Sequence, residues 1–92
     1  MTKVIGSNYF LKFKKHSHKN LQIEIDNQVK NILANPNIGE LKKGDLKGIR
    51  VHKFKCGTQL YLLSYEAKDD TLYLYTLGSH ENYYKRLKRY LS

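Results

Sequence analysis

Lys53 and Lys55 flank Phe54 in the stretch Arg50-Val51-His52-Lys53-Phe54-Lys55. On an extended chain, residues two apart share a face, so both lysines point one way and Phe54 points the other. A pair of lysines on a strand that also feeds a core is costly unless its face opens to solvent or to a ligand. Two readings fit: a solvated sheet edge, where lysine blocks aggregation, and a cationic site. His52 alternates with Arg50 and Phe54 and is expected to reach the edge of the same groove. Further on, His80 follows Leu77-Gly78-Ser79, where a strand ends and a helix begins. An imidazole there projects from a rigid sheet and can give or take a proton near neutral pH. Tyr84 lies one helical turn beyond, so the two can share a face. The plain alternative is a surface histidine beside a core tyrosine.

No Walker loop, dinucleotide fingerprint, nucleophile elbow or carboxylate pair is present. His16 and His18 lack metal-ligand spacing and read as loop residues. The single cysteine, Cys56, permits neither a disulfide nor a zinc quartet within the chain and reads as a small space-filler. No metal and no cofactor is expected. Catalysis, if any, rests on His, Lys, Arg and Tyr, a set suited to cleaving an RNA phosphodiester. The 2′-hydroxyl supplies the nucleophile, leaving the protein to move protons and stabilise charge on the phosphate.

The charge balance agrees. Among 92 residues, 17 Lys plus Arg face 8 Asp plus Glu, a net +9. Such an excess implies an anionic partner, with nucleic acid ahead of acidic protein or anionic membrane. Three basic clusters stand out: Lys12, Lys14, Lys15 and Lys19; Lys42, Lys43, Lys47, Arg50, Lys53 and Lys55; and Lys85, Arg86, Lys88 and Arg89. No signal peptide and no membrane-length apolar run is found, so a cytoplasmic protein with no membrane partner is expected.

The elements that must position these groups follow from pattern. Residues 1–92 read as one domain. Val4 and Ile5 suit a short strand. Ser7 or Asn8 caps a short helix carrying Tyr9, Phe10 and Phe13 on one side. A second helix runs from about Lys19 to Ala34 with Leu21, Ile25, Val29, Ile32 and Leu33 as its apolar stripe, and Asn35-Pro36 stops it. Strands follow over Ile49–Cys56, Thr58–Ala67 and Thr71–Leu77, with a hairpin turn at Lys68-Asp69-Asp70. On the last strand Leu72, Leu74 and Thr76 alternate against Tyr73, Tyr75 and Leu77. Gly78-Ser79 ends the sheet, and a final helix runs from His80 to Leu91 with Tyr83, Leu87, Tyr90 and Leu91 inward. The expected class is α+β: a small antiparallel sheet with a helical hairpin packed on it, ordered β-α-α-β-β-β-α.

Several of these segments resemble the RelE/ParE toxins of bacterial type II toxin–antitoxin modules. Gly44-Asp45-Leu46-Lys47-Gly48-Ile49-Arg50 is similar to their "L-K-G…R" opening, and Tyr61-Leu62-Leu63-Ser64-Tyr65 to their "Y-R-L-V-Y" strand. Leu77-Gly78-Ser79-His80-Glu81-Asn82-Tyr83-Tyr84 resembles the closing "G-H-R…Y" motif, and Ile32-Leu33-Ala34-Asn35-Pro36 the usual helix end. Element order agrees over nearly the whole chain. The resemblance implies a RelE-like, microbial-ribonuclease-like fold and one of two activities. Many members cut mRNA in the ribosomal A site without a metal; the ParE branch poisons DNA gyrase instead. It also implies a cognate antitoxin, with operator DNA reached only through the antitoxin complex.

Residue by residue, the resemblance assigns Lys53 and Lys55 to the family's two strand lysines. It puts His80 where the YafQ-like branch has a histidine proton donor, and Tyr84 on the aromatic of that motif. Leu62 stands where an arginine is expected, a departure that Arg50 or Lys53 would have to make good. The implied roles are His80 as general acid, Lys53 and Lys55 on the phosphate, and Tyr84 against a base. Lys47, Arg50, His52, Lys85, Arg86 and Arg89 would bind RNA, and the basic patches would dock on the ribosome. A ParE-like gyrase inhibitor or a catalytically silent binding protein is the alternative.

Overall fold

Ser7 cannot continue a strand and cap a helix at once, and it does the second. Its Oγ accepts from the Phe10 N–H at 3.0 Å, which satisfies one of the open donors at the helix start. A computed structural model of the protein describes residues 3–80 together with Arg89 and Leu91. Ser7 separates β1 (Lys3–Gly6) from α1 (Asn8–His16). His18 caps α2 (Lys19–Ala34) by accepting from the Leu21 N–H through Nδ1 at 3.2 Å. The chain then forms β2 (Glu40–Leu41), a 3₁₀ turn over Gly44–Leu46, and the strands β3 (Arg50–Cys56), β4 (Gln59–Lys68) and β5 (Thr71–Ser79). Of the expected last helix, Arg89 and Leu91 are helical; Tyr83, Tyr84, Lys85, Arg86, Leu87, Lys88 and Tyr90 lie outside the described residues.

The five strands form one sheet in the order β1-β5-β4-β3-β2. This α+β fold departs from the expected antiparallel sheet in two ways. β1 runs parallel to β5, pairing Val4 with Leu72 and Ile5 with Tyr73. β2 adds an antiparallel edge to β3, pairing Glu40 with Val51. A parallel neighbour needs a crossover, here supplied by the two helices, which therefore cover one face. Phe10, Leu21, Ile25 and Ile32 from the helices pack there against Phe54, Leu63, Tyr65, Leu72, Leu74 and Leu77. Each such side chain contributes about 1.5–3 kcal/mol of burial.

The β4–β5 ladder carries a bulge: Tyr65 pairs with Leu74, but Ser64 pairs with Thr76, leaving Tyr75 as the extra residue. The bulge reverses the expected alternation beyond it. Leu77 joins Leu72 and Leu74 on the helix side, while Thr76 turns with Tyr75 to the opposite face. The displaced Thr76 N–H donates to Ser64 Oγ at 3.0 Å, and the two hydroxyls lie 2.5 Å apart, so the polar groups at the bulge are satisfied although buried. β5 also runs through Gly78 and Ser79, beyond its expected end at Leu77.

Tyr65 fixes the path from α2 into the sheet. Its hydroxyl donates to the Pro36 carbonyl at 2.7 Å and accepts from the Gly39 N–H at 2.9 Å. A side chain at position 39 would meet the Tyr65 ring at 2.8 Å, so only glycine fits. Burial raises the Tyr65 phenol above its usual pKa, with the Gly39 N–H and the Arg50 charge pulling against the rise.

Candidate functional site

The face opposite the helices holds the candidate site, and strand parity decides which groups reach it. Odd-numbered residues of β3 point to it: Lys53 and Lys55 are exposed, whereas Phe54 between them is buried in the helix-side core. Lys53 pairs with Leu62, which in turn pairs with Gly78. Lys55 pairs with Leu60, and Tyr61 pairs with Ser79. His80 thus leaves β5 one position past the last pair, level with Leu60 and Lys55. Two strand spacings separate β5 from β3, roughly 10 Å. The bulge sets this alignment, since without the extra residue Gly78 would face the helices. A bulge that re-aims a side chain beside a site is a recurrent device.

His80 is exposed. Among the described residues neither lysine makes an ion pair. The nearby carboxylate on this face, Glu66, is engaged: it accepts from the Tyr75 hydroxyl at 2.8 Å. Glu66 also sits beneath Gly48, where a side chain would come within 3.1 Å of its carboxylate and where φ is +87°. Glycine meets both demands, and the 3₁₀ turn can then fold over the sheet. The face between lysines and turn thus carries the exposed Lys53 and Lys55, with Lys47 beside the turn, against the carboxylate of Glu66.

Leu62 occupies the centre of the face, fully buried with Leu46, Ile49 and Val51 and with Tyr75 against them. An apolar plug stands where the resemblance leads one to expect a cation. Arg50 cannot fill the role from its place. It lies on the helix-side parity, opposite Tyr65, and its Nη1 donates to the carbonyls of Gly39 at 2.8 Å and Asn37 at 3.3 Å. His52 likewise does not reach the groove edge beside the lysines. It is buried on the helix side, stacks on Phe54, and meets Gln28 Oε1 through Nε2 at 2.7 Å. Burial lowers its pKa. Both residues share the parity of Phe54, and that signal was already present in the sequence.

Lys47 closes the 3₁₀ turn and is exposed beside this face. Arg89 is exposed; Tyr84, Lys85 and Arg86 lie outside the described residues. Of the helical patch, Lys12, Lys15 and Lys19 are exposed and Lys14 is paired with Asp26. A hollow of about 450 Å³ on α1, lined by Tyr9, Lys12, Phe13, His16 and Ser17, belongs to the helix layer, away from the lysine face. Among the described residues no helix is long and apolar enough to cross a membrane.

The fold has close counterparts. The intact Escherichia coli RelBE toxin–antitoxin complex contains a chain superimposing with a TM-score of 0.69 at 17% identity, over 86% of this chain and 96% of that one. The isolated E. coli RelE toxin gives 0.66 at 18% identity, over 95% and 96%. The conserved protein HP0894 from Helicobacter pylori gives 0.51 at 28% identity, over 87% and 96%. No curated protein sequence matches the chain. The family model for ParE-like toxins of type II bacterial toxin–antitoxin systems matches residues 4–88. With that match over most of its length and a RelE-like architecture beneath it, the chain belongs to the ParE-like toxin family of bacterial type II toxin–antitoxin systems.

Proposed function

We propose that this toxin-family chain is a ribosome-dependent mRNA endonuclease that arrests translation and is held in check by a cognate antitoxin. The observation that carries the reading is the exposed Lys53–Lys55 pair, unpaired with acid among the described residues, with His80 following the end of β5 level with Lys55 in register. The reaction is a transesterification. The ribose 2′-oxygen attacks the adjacent phosphorus, its proton passing to a base, and a 2′,3′-cyclic phosphate forms as the bond to the 5′-oxygen breaks. His80, protonated, delivers a proton to that leaving oxygen. Lys53 and Lys55 stabilise the charge gathering on the phosphate, and one of them assists removal of the 2′ proton. Tyr84 stacks on a base. The antitoxin reading is supported by the RelBE likeness, in which the similar chain comes from a toxin–antitoxin complex.

A second reading has its own observation. Leu62 places buried hydrocarbon at the centre of the face, and the matching family model is ParE-like. Both suit a gyrase inhibitor or a silent binding protein. Induction of the His80→Ala variant separates the readings. The endonuclease reading expects growth arrest to vanish while the folded protein accumulates. Full arrest by a folded variant contradicts it, and arrest with a DNA-damage response and intact mRNA supports the gyrase reading.

A further inference from the structure

The site face carries a second chemical feature beside its lysines. Tyr73 and Tyr75, two apart on β5, turn their rings the same way, with centroids 6.5 Å apart and planes within 12° of parallel. Both are half-buried rather than enclosed. Tyr75 is fixed twice, by its hydroxyl bond to Glu66 and by packing against the Leu46–Leu62 cluster. Tyr73 leans on that fixed ring and is flanked across the parallel ladder by Ile5, itself half-exposed. Two parallel, pre-oriented rings, each part-exposed, cost little ordering entropy on binding. From Lys53 both lie about two strand spacings across the sheet; along it Tyr75 is about two to three residues away and Tyr73 about four, so roughly 10 Å by 8 Å and 10 Å by 13 Å.

We infer that Tyr73 and Tyr75 form a stacking shelf for an unpaired RNA base a few nucleotides along the strand from the phosphate held by Lys53 and Lys55. The inference rests on the RNA reading above. Charge favours this occupant over an acidic protein: Glu66, the carboxylate beside the rings, is occupied by the Tyr75 hydroxyl, and the exposed Lys3 and Lys68, both paired with Thr71, and Lys47 stand around it. Aromatic side chains on a sheet bind single-stranded bases by stacking, tolerant of sequence because every base has a π face. The shelf therefore adds affinity and register without reading base identity.

The test uses the full chain and a short single-stranded RNA carrying 2-aminopurine, whose emission falls on stacking; the protein holds no Trp to obscure it. Wild type and Tyr73→Phe quench the probe and bind alike. Tyr73→Leu, which keeps an apolar side chain, abolishes quenching and weakens binding by roughly five- to 150-fold, the range expected for one lost base stack. Lys53→Ala weakens binding but leaves quenching intact at saturation. If Tyr73→Leu quenches and binds like wild type while Lys53→Ala weakens binding, the shelf is refuted and the RNA reading stands. If wild type binds no RNA, both fall. If Tyr73→Leu changes only the sedimentation of the protein, the rings are a protein contact and the shelf is again refuted.

Discussion

Removing one oxygen from Tyr65 tests how the connection from α2 into the sheet is held. In Tyr65→Phe the ring stays in the helix-side core, so packing is nearly unchanged, while two hydrogen bonds disappear together. The Pro36 carbonyl loses its donor at 2.7 Å and the Gly39 N–H its acceptor at 2.9 Å. Gly39 is buried, so its N–H has no ready replacement in water. A net hydrogen bond is worth about 1 kcal/mol, and an orphaned buried donor costs about 1–3 kcal/mol. Recovery of the phenol's own desolvation offsets part of this, so the expected loss is about 2–3 kcal/mol. Arg50 also anchors to Gly39, so the loosened segment carries edge strand β2 with it. Urea denaturation measures the loss as a lowered midpoint at constant m, and amide exchange localises it to residues 36–41. A change below about 0.5 kcal/mol, or protection at Gly39 equal to wild type, would show that the hydroxyl bridge does not anchor this connection.

Three further outcomes follow from the same structure. Leu62→Ala empties the centre of the second apolar cluster and lowers stability by about 2–5 kcal/mol in denaturant titrations; a smaller loss contradicts the burial of Leu62. His52 is held below the ordinary histidine pKa of 6.5 by burial. Below about 6.5 the unfolded chain binds a proton that the folded chain resists, so stability is full above that pH and declines as pH falls toward the folded pKa. His52→Gln removes that decline, and thermal melts between pH 5 and 7.5 compare the two. Lys53→Ala and Lys55→Ala each reduce the slope of log affinity against log salt by about one for RNA binding; unaltered slopes would mean that neither lysine meets a phosphate.

Much of this architecture is written in local patterns. The stripe Leu21-Ile25-Val29-Ile32-Leu33 and the stop at Asn35-Pro36 give α2 its observed bounds, Lys19–Ala34. Ser7 caps α1 as its position suggests, and the alternation around Phe54 sends Lys53 and Lys55 to one face. The same alternation places Arg50 and His52 on the other face, although both read as RNA-binding residues beside the lysines. What local pattern does not hold is long-range. The parallel pairing of Val4 with Leu72 depends on where the helical crossover returns the chain, and β2 is only two residues long. The bulge at Tyr75 is set by the register of β4 against β5, so the faces of Thr76 and Leu77 follow from pairing and not from composition. Leu62 reads in sequence as a missing arginine; its burial beneath Leu46 emerges only once the 3₁₀ turn folds over the sheet.

On the proposed function, the lysine face cuts translated mRNA with His80 as its acid. This is tested most directly by mapping mRNA ends in a translation extract supplied with wild type, His80→Ala or the Lys53→Ala, Lys55→Ala double variant. On the endonuclease reading, the wild-type protein makes cuts within codons that leave 2′,3′-cyclic phosphate ends, only while ribosomes translate. Each variant should lower the cutting rate by about 10²-fold or more, the scale of a lost general acid or charge-stabilising contact. Intact mRNA with the wild-type protein, or equal cutting by all three folded proteins, would contradict it.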